Sequence, residues 1–519
     1  MRKYVKWGVG IVVTPFILFA ILAILFYFPP FQKWAVKQVA AYASEKTKTE
    51  ITINHVNLEF PLNLGIEGVK VLQKNDSMPQ INDTVADIRK VVANIKLIPL
   101  FSKKIDIDEL SFDGMKVNTT NFIHEARVKG TIGRMDLVSH CIDLGAEHVN
   151  IDKANLKNAV LDVALSDTVP KDTTKKTVFW KINVHKLNVE KTDLTLHMPG
   201  DTIQVQAYLG KSVAEGGYFD LYRSAYKVKH FEWNDGRLNY DNNFKVHSKG
   251  LDYNHVSLSN IAIGIDNLSY RAPNLMMDLR GCRFKEQSGI AVDALAGKIA
   301  LDSTKLLLQR FYFKTPHSYL RAKVSLDLKT FAKDNPGKFN VSLNGKIGKP
   351  DLMHFVSKMP STFIKQWPNR SLTISGTAIG NMQSVSFSSL SVNLPTAFTI
   401  KAKGFVANLD KIKKLRGSIN FRAHAYKMGF AMSMLPKNIT KKIRIPSGIY
   451  TEGNIKFNGN RYSANLIAKD GKGRLSAVGD FNADRMAYNA TINASNLQLQ
   501  HFVPNYGLHT FSGFASLKK

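Results

Sequence analysis

The side chains that commonly carry out chemistry are scattered along this chain and do not form a reactive pattern. The 14 histidines are spread out, and His185, His230 and His255 alternate with apolar residues, as solvent-facing strand residues do. Exposed strand histidines explain them more simply than metal ligands. Asp108 and Glu109 also occupy polar positions of such a pattern, so they give no support to the carboxylate pair of a glycosidase.

The chain also lacks the motifs that mark common catalytic and phosphate-binding sites. It has no Gly-x-x-x-x-Gly-Lys-Ser/Thr loop, no His-Glu-x-x-His helix, no Gly-x-Ser-x-Gly turn and no Cys-x-x-Cys pair. Its two cysteines, Cys141 and Cys282, are far apart in the sequence, and two thiols imply no disulfide framework. We therefore expect a protein that is not an enzyme and that needs neither a metal nor a cofactor.

What recurs instead is a spacing of apolar residues, which we call the apolar repeat. It places them at positions 1, 3, 6, 8, 13 and 15 of a segment, with Thr119 in the last position of the first copy. Five copies begin at Ile105, Val149, Ile182, Tyr226 and Val256. Alternation with period two indicates strands with one apolar face. The three-residue step inside each copy requires a bulge if that face is to be kept.

The four-residue gap near the end of each copy predicts a hairpin turn. Two copies carry turn residues there, Asp113-Gly114 and Asp235-Gly236. Each copy is therefore predicted to be a bulged strand, a turn and a return strand. Many such units in tandem predict a mainly β fold, an elongated repeat array of antiparallel strands with one continuous apolar side. The irregular spacing between copies argues against a regular β-helix or propeller and favours an open groove.

The N-terminal region predicts a membrane anchor. Residues 8–28 carry no charge, and as a helix they are long enough to cross a bilayer core about 30 Å thick. The run ends at Pro29-Pro30 without the small residues of a cleavage site, and the basic residues before it place the N-terminus in the cytoplasm. Residues 1–29 are thus predicted to be a signal-anchor transmembrane helix. Residues 30–49 are predicted to be an amphipathic helix at the outer membrane surface.

The net charge of the chain limits the classes of molecule that it is expected to bind. Lys and Arg number 71 against 41 Asp and Glu, a net charge of +30, which attracts anionic partners. Basic clusters with interleaved aromatic residues and nucleic-acid-binding motifs are missing, and the anchor places the array outside the cytoplasm. Anionic lipid headgroups are therefore the favoured partner, and nucleic acid is excluded. The alternative is that the basic residues only solvate the outer face and protect exposed strand edges.

Three interpretations of the apolar side remain open at this point. The apolar faces of two sheets, or of one closed sheet, could cover each other as an ordinary core. The sheet could instead curl into a trough that stays open to an acyl chain, or serve as a template for other β-chains. Burying a methylene is worth about 0.8 kcal/mol, so a sixteen-carbon chain is disfavoured in water by roughly 10 kcal/mol or more. Moving lipid between membranes therefore requires an unbroken apolar lining.

One segment resembles a known family. Residues 97–117, LIPLFSKKIDIDELSFDGMKV, together with ITINHVNL at 51–58 and IEGVKV at 66–71, resemble the N-terminal signature of the AsmA-like family. LLLQRFYFKTPHSYL at 306–320, and GDF at 479–481 with LQLQHFVP at 497–504, are similar to TamB-type members of that family.

The resemblance implies a periplasmic protein anchored in the inner membrane of a Gram-negative-type envelope. Its β-groove would conduct phospholipid towards the outer membrane. TamB-type members also act with an outer-membrane β-barrel partner in assembling outer-membrane proteins. The resemblance implies no catalytic residues. The strand alternation continues to the last residue without a capping element, so we expect a longer protein whose partner-binding C-terminal region lies beyond residue 519.

These observations predict an ordered series of segments. The signal anchor 1–29 and the amphipathic helix 30–49 are followed by an AsmA-like N-terminal module at 50–120 and a β-repeat groove at 121–349. A short helical insertion follows at 350–369, where Leu352, Phe355 and Met359 have helical spacing, and the groove continues over 370–519. The fold is thus a mainly β groove with one transmembrane helix and a few short helices.

The predicted function is a lipid-transport bridge in the cell inner membrane, single-pass with its bulk in the periplasm, whose partners are phospholipid and the inner membrane. The alternative is an assembly factor for outer-membrane β-barrel proteins, working with an outer-membrane partner. Lipid is expected to leave the membrane near Phe31, Trp34, Val39 and Tyr42. The residues expected to line the groove are Ile105, Ile107, Leu110, Phe112, Val149, Ile151, Leu156, Ile182, Val184, Leu187, Val189, Tyr226, Val228, Phe231, Trp233, Val256, Leu258, Ile261 and Ile263.

Overall fold

A computed structural model gives the fold of most of the chain. It describes residues 50–59, 63–74, 80–96, 104–119, 126–143, 146–165 and 180–519 except 249, 333, 356–359 and 410, together with residues 30, 34, 37, 40, 41, 44 and 49. The predicted signal anchor, residues 1–29, lies outside this part. The described residues are mostly in strands, which confirms the mainly β fold. They divide into two compact units, residues 1–248 with 252–271 and residues 249–251 with 272–519.

The first unit is a sheet of ten strands in which each strand pairs with the next along the chain. β1 and β10 do not pair with each other in the described residues, so this sheet is open. The strands are β1 (Glu50–Glu59), β2 (Asn63–Lys74), β3 (Asn82–Lys96), β4 (Lys104–Asn118), β5 (Ala126–Asp143), β6 (His148–Leu165), β7 (Lys181–His197), β8 (Ile203–Asp220), β9 (Ala225–Asn242) and β10 (His255–Arg271).

The expectation of purely antiparallel strands is wrong at one place. β6 and β7 pair in parallel, whereas every other neighbouring pair of this sheet is antiparallel. Two parallel strands cannot be joined by a tight turn and need a longer crossover connection. The segment between β6 and β7, residues 166–180, has the length for such a connection.

The second unit is a sheet of fourteen strands, all paired antiparallel with their chain neighbours. Its strands are β11 (Asn274–Glu286), β12 (Ala291–Leu301), β13 (Lys305–Lys314), β14 (Tyr319–Asp327), β15 (Phe339–Ile347), β16 (Leu372–Asn381), β17 (Ser384–Leu394), β18 (Phe398–Ala407), β19 (Arg416–Ala425), β20 (Ile449–Asn458), β21 (Arg461–Asp470), β22 (Gly473–Asn482), β23 (Ala487–Gln498) and β24 (Thr510–Lys518).

Short helices interrupt the second sheet at its strand ends. Two of them lie in the segment 350–369, where the sequence predicts a helical insertion. The helices are α1 (Lys349–Phe355), α2 (Ser361–Gln366), α3 (Gly429–Met432), α4 (Lys437–Thr440) and α5 (Leu499–Phe502). In the described part of the chain, no helix combines the length and apolar character needed to span a bilayer.

A helix-covered core lies within this second unit. Phe363 and Trp367 from the α2 region pack with Phe430 of α3 against Leu394 and Ala397, at the turn between β17 and β18. The rings of Trp367 and Phe430 are edge-on, with centroids 4.9 Å apart. Edge-to-face aromatic packing adds to the stabilisation that comes from burial alone. These helices therefore cover one end of the sheet with an ordinary sealed core.

The hairpin predicted within each apolar repeat is wrong. Asp113 and Gly114 lie inside β4, and Asp235 and Gly236 lie inside β9, so each copy occupies one continuous strand. The step from position 8 to position 13 is five residues. An odd step, like the three-residue step before it, would put the side chains on opposite faces of a regular strand.

The five-residue step contains a kink with positive φ instead of an extra residue, because the pairing skips this position on both strands and its register does not shift. The tenth position of the first four copies is Gly114, Asn158, Lys191 and Asp235, with φ values of 64°, 54°, 47° and 54°. These angles belong to the left-handed region, which Gly, Asn and Asp adopt more readily than other residues. The Asp-Gly residues that suggest a turn therefore form a positive-φ kink inside a long strand.

Candidate functional site

The strand pairing brings four copies of the apolar repeat into the same register. β5 separates the copies on β4 and β6, and β8 separates those on β7 and β9, so the first four copies run in the same direction. The parallel pair aligns the second and third copies position by position, for example Ile151 opposite Val184 and Leu156 opposite Val189. The fifth copy, on β10, runs in the opposite direction.

Because directly opposed residues of paired strands share a face and lie about 4.5–5.5 Å apart at Cβ, the copies form rows across the sheet. We call three of these rows together the apolar track. The first row is Ile142, Val149, Ile182, Phe219, Tyr226 and Tyr270. The second is Ala93, Leu110, Leu137, Ala154, Leu187, Ala214, Phe231 and Ile265. The third is Ile66, Val91, Phe112, Met135, Leu156, Val189, Ser212, Trp233 and Ile263.

Two predicted lining residues, Ile105 and Ile107, are on β4 opposite Ile142 and Ser139. The other predicted residues also fall on the strands of this sheet. The structure therefore places the lining predicted on the first four copies in matching register within one sheet, and the fifth copy runs antiparallel to them. At about 4.8 Å between strands, a row that crosses all ten strands is roughly 43 Å long.

The apolar track is partly exposed. Among the predicted lining residues whose side chains are described, Trp233 at 9% and Ile261 at 2% exposure are buried. All the others are intermediate between buried and exposed. Two sheets packed face to face would bury these side chains as a domain core does. The apolar side of the first unit is therefore partly exposed over most of the predicted lining, whereas at β2 to β4 it is a buried cluster of Val69, Ile88 and Val91, with Leu110 and Phe112 packed against them.

A hydrogen bond and close packing hold the side chain of Trp233 in place within the track. The indole N–H donates a hydrogen bond to the backbone oxygen of Tyr208, at 3.2 Å. The ring lies against Gly236, where an added Cβ would be only 2.4 Å from ring atoms. A glycine is required at this position because any side chain would displace the ring. Ser212, the one residue of the three rows that is neither aliphatic nor aromatic, lies opposite Trp233 and is 5% exposed.

Polar residues between the track residues form cross-strand ladders. Nδ2 of Asn183 donates to Oδ1 of Asn150 at 2.7 Å, and Nδ2 of Asn188 donates to Oδ1 of Asn155 at 2.8 Å. Nζ of Lys186 lies 2.8 Å from Oε1 of Glu215, and this hydrogen bond lowers the pKa of the Glu215 carboxyl. Successive residues of a strand point to opposite faces, so charge and apolar lining are kept on separate sides.

The second unit has apolar rows of its own that the repeat spacing missed. One row crosses eleven of its strands and combines large with small residues, Phe387 lying between Ala378 and Gly404. Plain period-two alternation was the signal that could have found it. The row is Leu308, Val324, Val341, Ala378, Phe387, Gly404, Ile419, Ile455, Ala464, Gly479 and Ala490.

An aromatic cleft lies at one end of the strands in this unit. Phe457, Tyr462, Phe481 and Tyr488 are directly opposed on β20 to β23. The rings of Tyr462 and Phe481 stack with centroids 6.3 Å apart. The cleft they line has a volume of about 510 Å³, and ligand pockets of this size are typically apolar with a few polar groups. Charged side chains line it as well, among them Lys456, Arg461, Asp480 and Lys518, so aromatic and charged groups meet in this cleft.

The residues predicted to receive lipid from the membrane are mostly outside the described part. Phe31, Val39 and Tyr42 are not described, whereas Trp34 is helical and 57% exposed. The other described residues between 30 and 44 are helical as well. An exposed Trp near a predicted anchor is typical of the membrane–water interface.

The expectation that His255 is solvent-exposed is wrong. Its side chain is 4% exposed, because the loop between β9 and β10 folds over the start of β10. His185 is exposed, as predicted, and His230 is partly exposed between Glu232 and Asp266. Burial of a titratable ring beside carboxylates distinguishes His255 from these two strand histidines.

Comparison with known proteins does not assign the chain to a family. A scan against protein-family models and a search of curated proteins both find no significant match to the chain.

Proposed function

We propose that the apolar track binds phospholipid acyl chains and that the protein is a lipid-transport bridge. It would be anchored in the inner membrane and lie in the periplasm, carrying lipid towards the outer membrane as the AsmA-like resemblance implies. The supporting observation is that apolar rows cross β3 to β10 and that most of their side chains are partly exposed, Val91, Ala93, Ser212 and Trp233 being the buried members. Sheets twist with a fixed hand, and a twisted open sheet with one apolar side would curl into the groove that a lipid tail requires.

The energetics favour this use of the surface. Each methylene removed from water contributes about 0.8 kcal/mol, so a lining must be continuous if a tail is to slide without re-entering water. The track residues are aliphatic or aromatic apart from Ser212. Headgroups would stay at the rim, where the excess of Lys and Arg favours anionic phosphate.

The experiment compares two double variants of adjacent residues on β7. Val184→Asp with Leu187→Asp places one carboxylate in the second row of the track and the other at position 3 of the repeat, between the first and second rows, where an unpaired buried charge is costly. His185→Asp with Asn188→Asp adds the same number of carboxylates at the neighbouring polar positions. Each protein, lacking residues 1–29, would be purified without detergent and its bound lipid measured by mass spectrometry. The track variant should lose most of its lipid and the control should keep it. Equal lipid in both would refute the groove.

A second candidate function is assembly of outer-membrane β-barrel proteins. β24 pairs with β23 on one side only, within the described residues, and Phe514 on it is 69% exposed. An unpaired strand edge is a template for another β-chain. Photo-crosslinks from β24 to nascent outer-membrane proteins, together with an absence of copurifying lipid, would favour this function over lipid transport.

A further inference from the structure

Four ionisable side chains converge where β9 ends and β10 begins, outside the apolar track. Asp241 lies near the end of β9, and His255 is the first residue of β10. His247 and Asp252 belong to the connection between the two strands. All four are in the first unit. The proposed lipid function makes no use of them.

His255 is at the centre of this group. Its Nδ1 is 3.0 Å from Oδ2 of Asp252, and its Nε2 is 3.4 Å from Oδ1 of Asp241. The ring of His247 stacks on it with centroids 3.6 Å apart. One ligand atom each from Asp241, His247 and His255 lie within 4.8 Å of one another. Two imidazoles and a carboxylate thus lie close together.

The distance between the ligand atoms of His255 and Asp241 suits a tetrahedral metal ion. Zinc binds nitrogen at about 2.0–2.1 Å and carboxylate oxygen at about 2.0–2.2 Å. Two ligands of a tetrahedral ion at these distances are roughly 3.3–3.5 Å apart. The observed 3.4 Å between Nε2 of His255 and Oδ1 of Asp241 falls in this range and is longer than a good hydrogen bond.

Asp252 has the placement of an outer-shell partner. A metal-binding imidazole usually donates its second ring N–H to a carboxylate, which fixes the tautomer and the ring orientation. Asp252 is 4% exposed and accepts that bond from Nδ1 of His255. Its own position is held by the backbone N–H groups of Ser248, at 2.6 Å, and Asn254, at 3.0 Å. His255 is thereby oriented with Nε2 directed at Asp241.

We propose that Asp241, His247 and His255 bind one zinc ion, with Asp252 as the positioning residue. Imidazole ligands favour zinc and related transition metals over calcium and magnesium. His247 is exposed, so its ring can turn to bring a nitrogen into the first shell. A water or a further ligand would complete four-coordination. The ion would tie the β9–β10 connection to the ends of both strands and stabilise this edge of the first unit.

The test is calorimetric titration of the chelator-treated full chain in detergent with Zn²⁺ alone. We expect one zinc per chain with micromolar or tighter affinity, no binding of Mg²⁺, and a higher melting temperature with zinc. His247→Ala, which changes an exposed side chain, should weaken binding at least tenfold. Asp252→Asn should weaken it tenfold or more through the loss of ring orientation. His185→Ala, an exposed histidine on β7, should bind zinc as the unchanged protein does.

Two outcomes would overturn the proposal. One is the absence of stoichiometric zinc binding by the unchanged chain, which would leave His255 as a buried structural histidine beside Asp241 and Asp252. The other is unaltered zinc affinity in His247→Ala. If His255→Ala fails to fold, His247→Ala still decides the question because that side chain is not part of a core. Neither outcome bears on lipid binding, which is measured separately.

Discussion

Val184 on β7 lies directly opposite Ile151 on β6, and both occupy position 3 of the apolar repeat. This parallel pairing is what aligns two successive copies without any offset. An antiparallel pair would have set position 3 of one copy against position 13 of the other, as happens between Leu258 and Leu238 on β10 and β9. The parallel pair therefore keeps like positions in one row, and the lining in the middle of the first unit depends on it.

The positive-φ kink at position 10 of the repeat can be tested at Lys191. Its φ of 47° lies in the left-handed region, which costs a β-branched residue most. Lys191→Val should lower the free energy of unfolding by about 1–2 kcal/mol. Lys191→Gly should not lower it, because glycine adopts this conformation freely. Urea denaturation of the two variants measures the difference. An equal loss of unfolding free energy in both would show that the left-handed conformation of residue 191 carries no strain.

The sequence predicts much of this sheet for a physical reason. Side-chain alternation is local, so the strands and the apolar face follow from the spacing alone. The spacing also predicts a bulge at the three-residue step, and the register shifts there beside Ile107 on β4, whereas β6, β7 and β9 keep their register across that step. The sequence predicts a turn at Asp235-Gly236 because these residues favour positive φ both in a turn and in a kinked strand, and a turn is the commoner setting.

Other features depend on contacts between distant segments and could not be predicted. The direction in which β6 and β7 pair is set by the path of the chain between them. Each strand shows the same alternation of side chains in either direction, so the sequence pattern does not reveal that they are parallel. The burial of His255 follows from the path of a loop, and its polar surroundings gave no local signal. The rows of the second unit include glycines such as Gly404, which a search for apolar spacing passes over.

Ser212 provides a test of the apolar character of the track. Its hydroxyl is buried and has no hydrogen-bond partner among the described residues, and an unsatisfied buried polar group costs about 1–3 kcal/mol. Ser212→Ala should therefore raise the free energy of unfolding by about 1 kcal/mol and leave copurified lipid unchanged. Ser257→Ala removes a hydroxyl that is bonded to Oδ1 of Asn239 at 2.7 Å, so it should not stabilise. A loss of stability in Ser212→Ala, measured by thermal denaturation, would contradict this account.

His197 predicts a pH dependence of stability. Its ring nitrogens lie 3.0 Å from Oδ1 of Asp201 and 3.2 Å from Oδ2 of Asp162. The hydrogen bond to Asp201, followed by that to Asp162, raises the pKa of His197 above its usual 6.5. A raised pKa in the folded state contributes stability that is fully present below the unfolded pKa, and this stability is lost as the pH rises through the folded value.

His197→Gln should therefore lower the melting temperature more at pH 5.5 than at pH 8.5, relative to the unchanged protein at each pH. The effect should be small, because Asp162 and Asp201 are more than half exposed and solvent screens the pairs. Added salt should reduce it further. A variant whose deficit is the same at both pH values would exclude a contribution from the charged imidazole.

The helix-covered core of the second unit should be its most sensitive point. Phe430 is 6% exposed and contacts Phe363 and Trp367, with ring centroids 5.7 Å and 4.9 Å away. Phe430→Ala removes a large buried side chain and leaves a cavity, so it should cost about 3–5 kcal/mol. Phe331→Ala is the matched control, since that ring is 74% exposed and its loss should cost little. Urea denaturation followed by tryptophan fluorescence compares the two, because Trp367 reports on this core. Equal midpoints for the two variants would mean that α2 and α3 do not stabilise the unit.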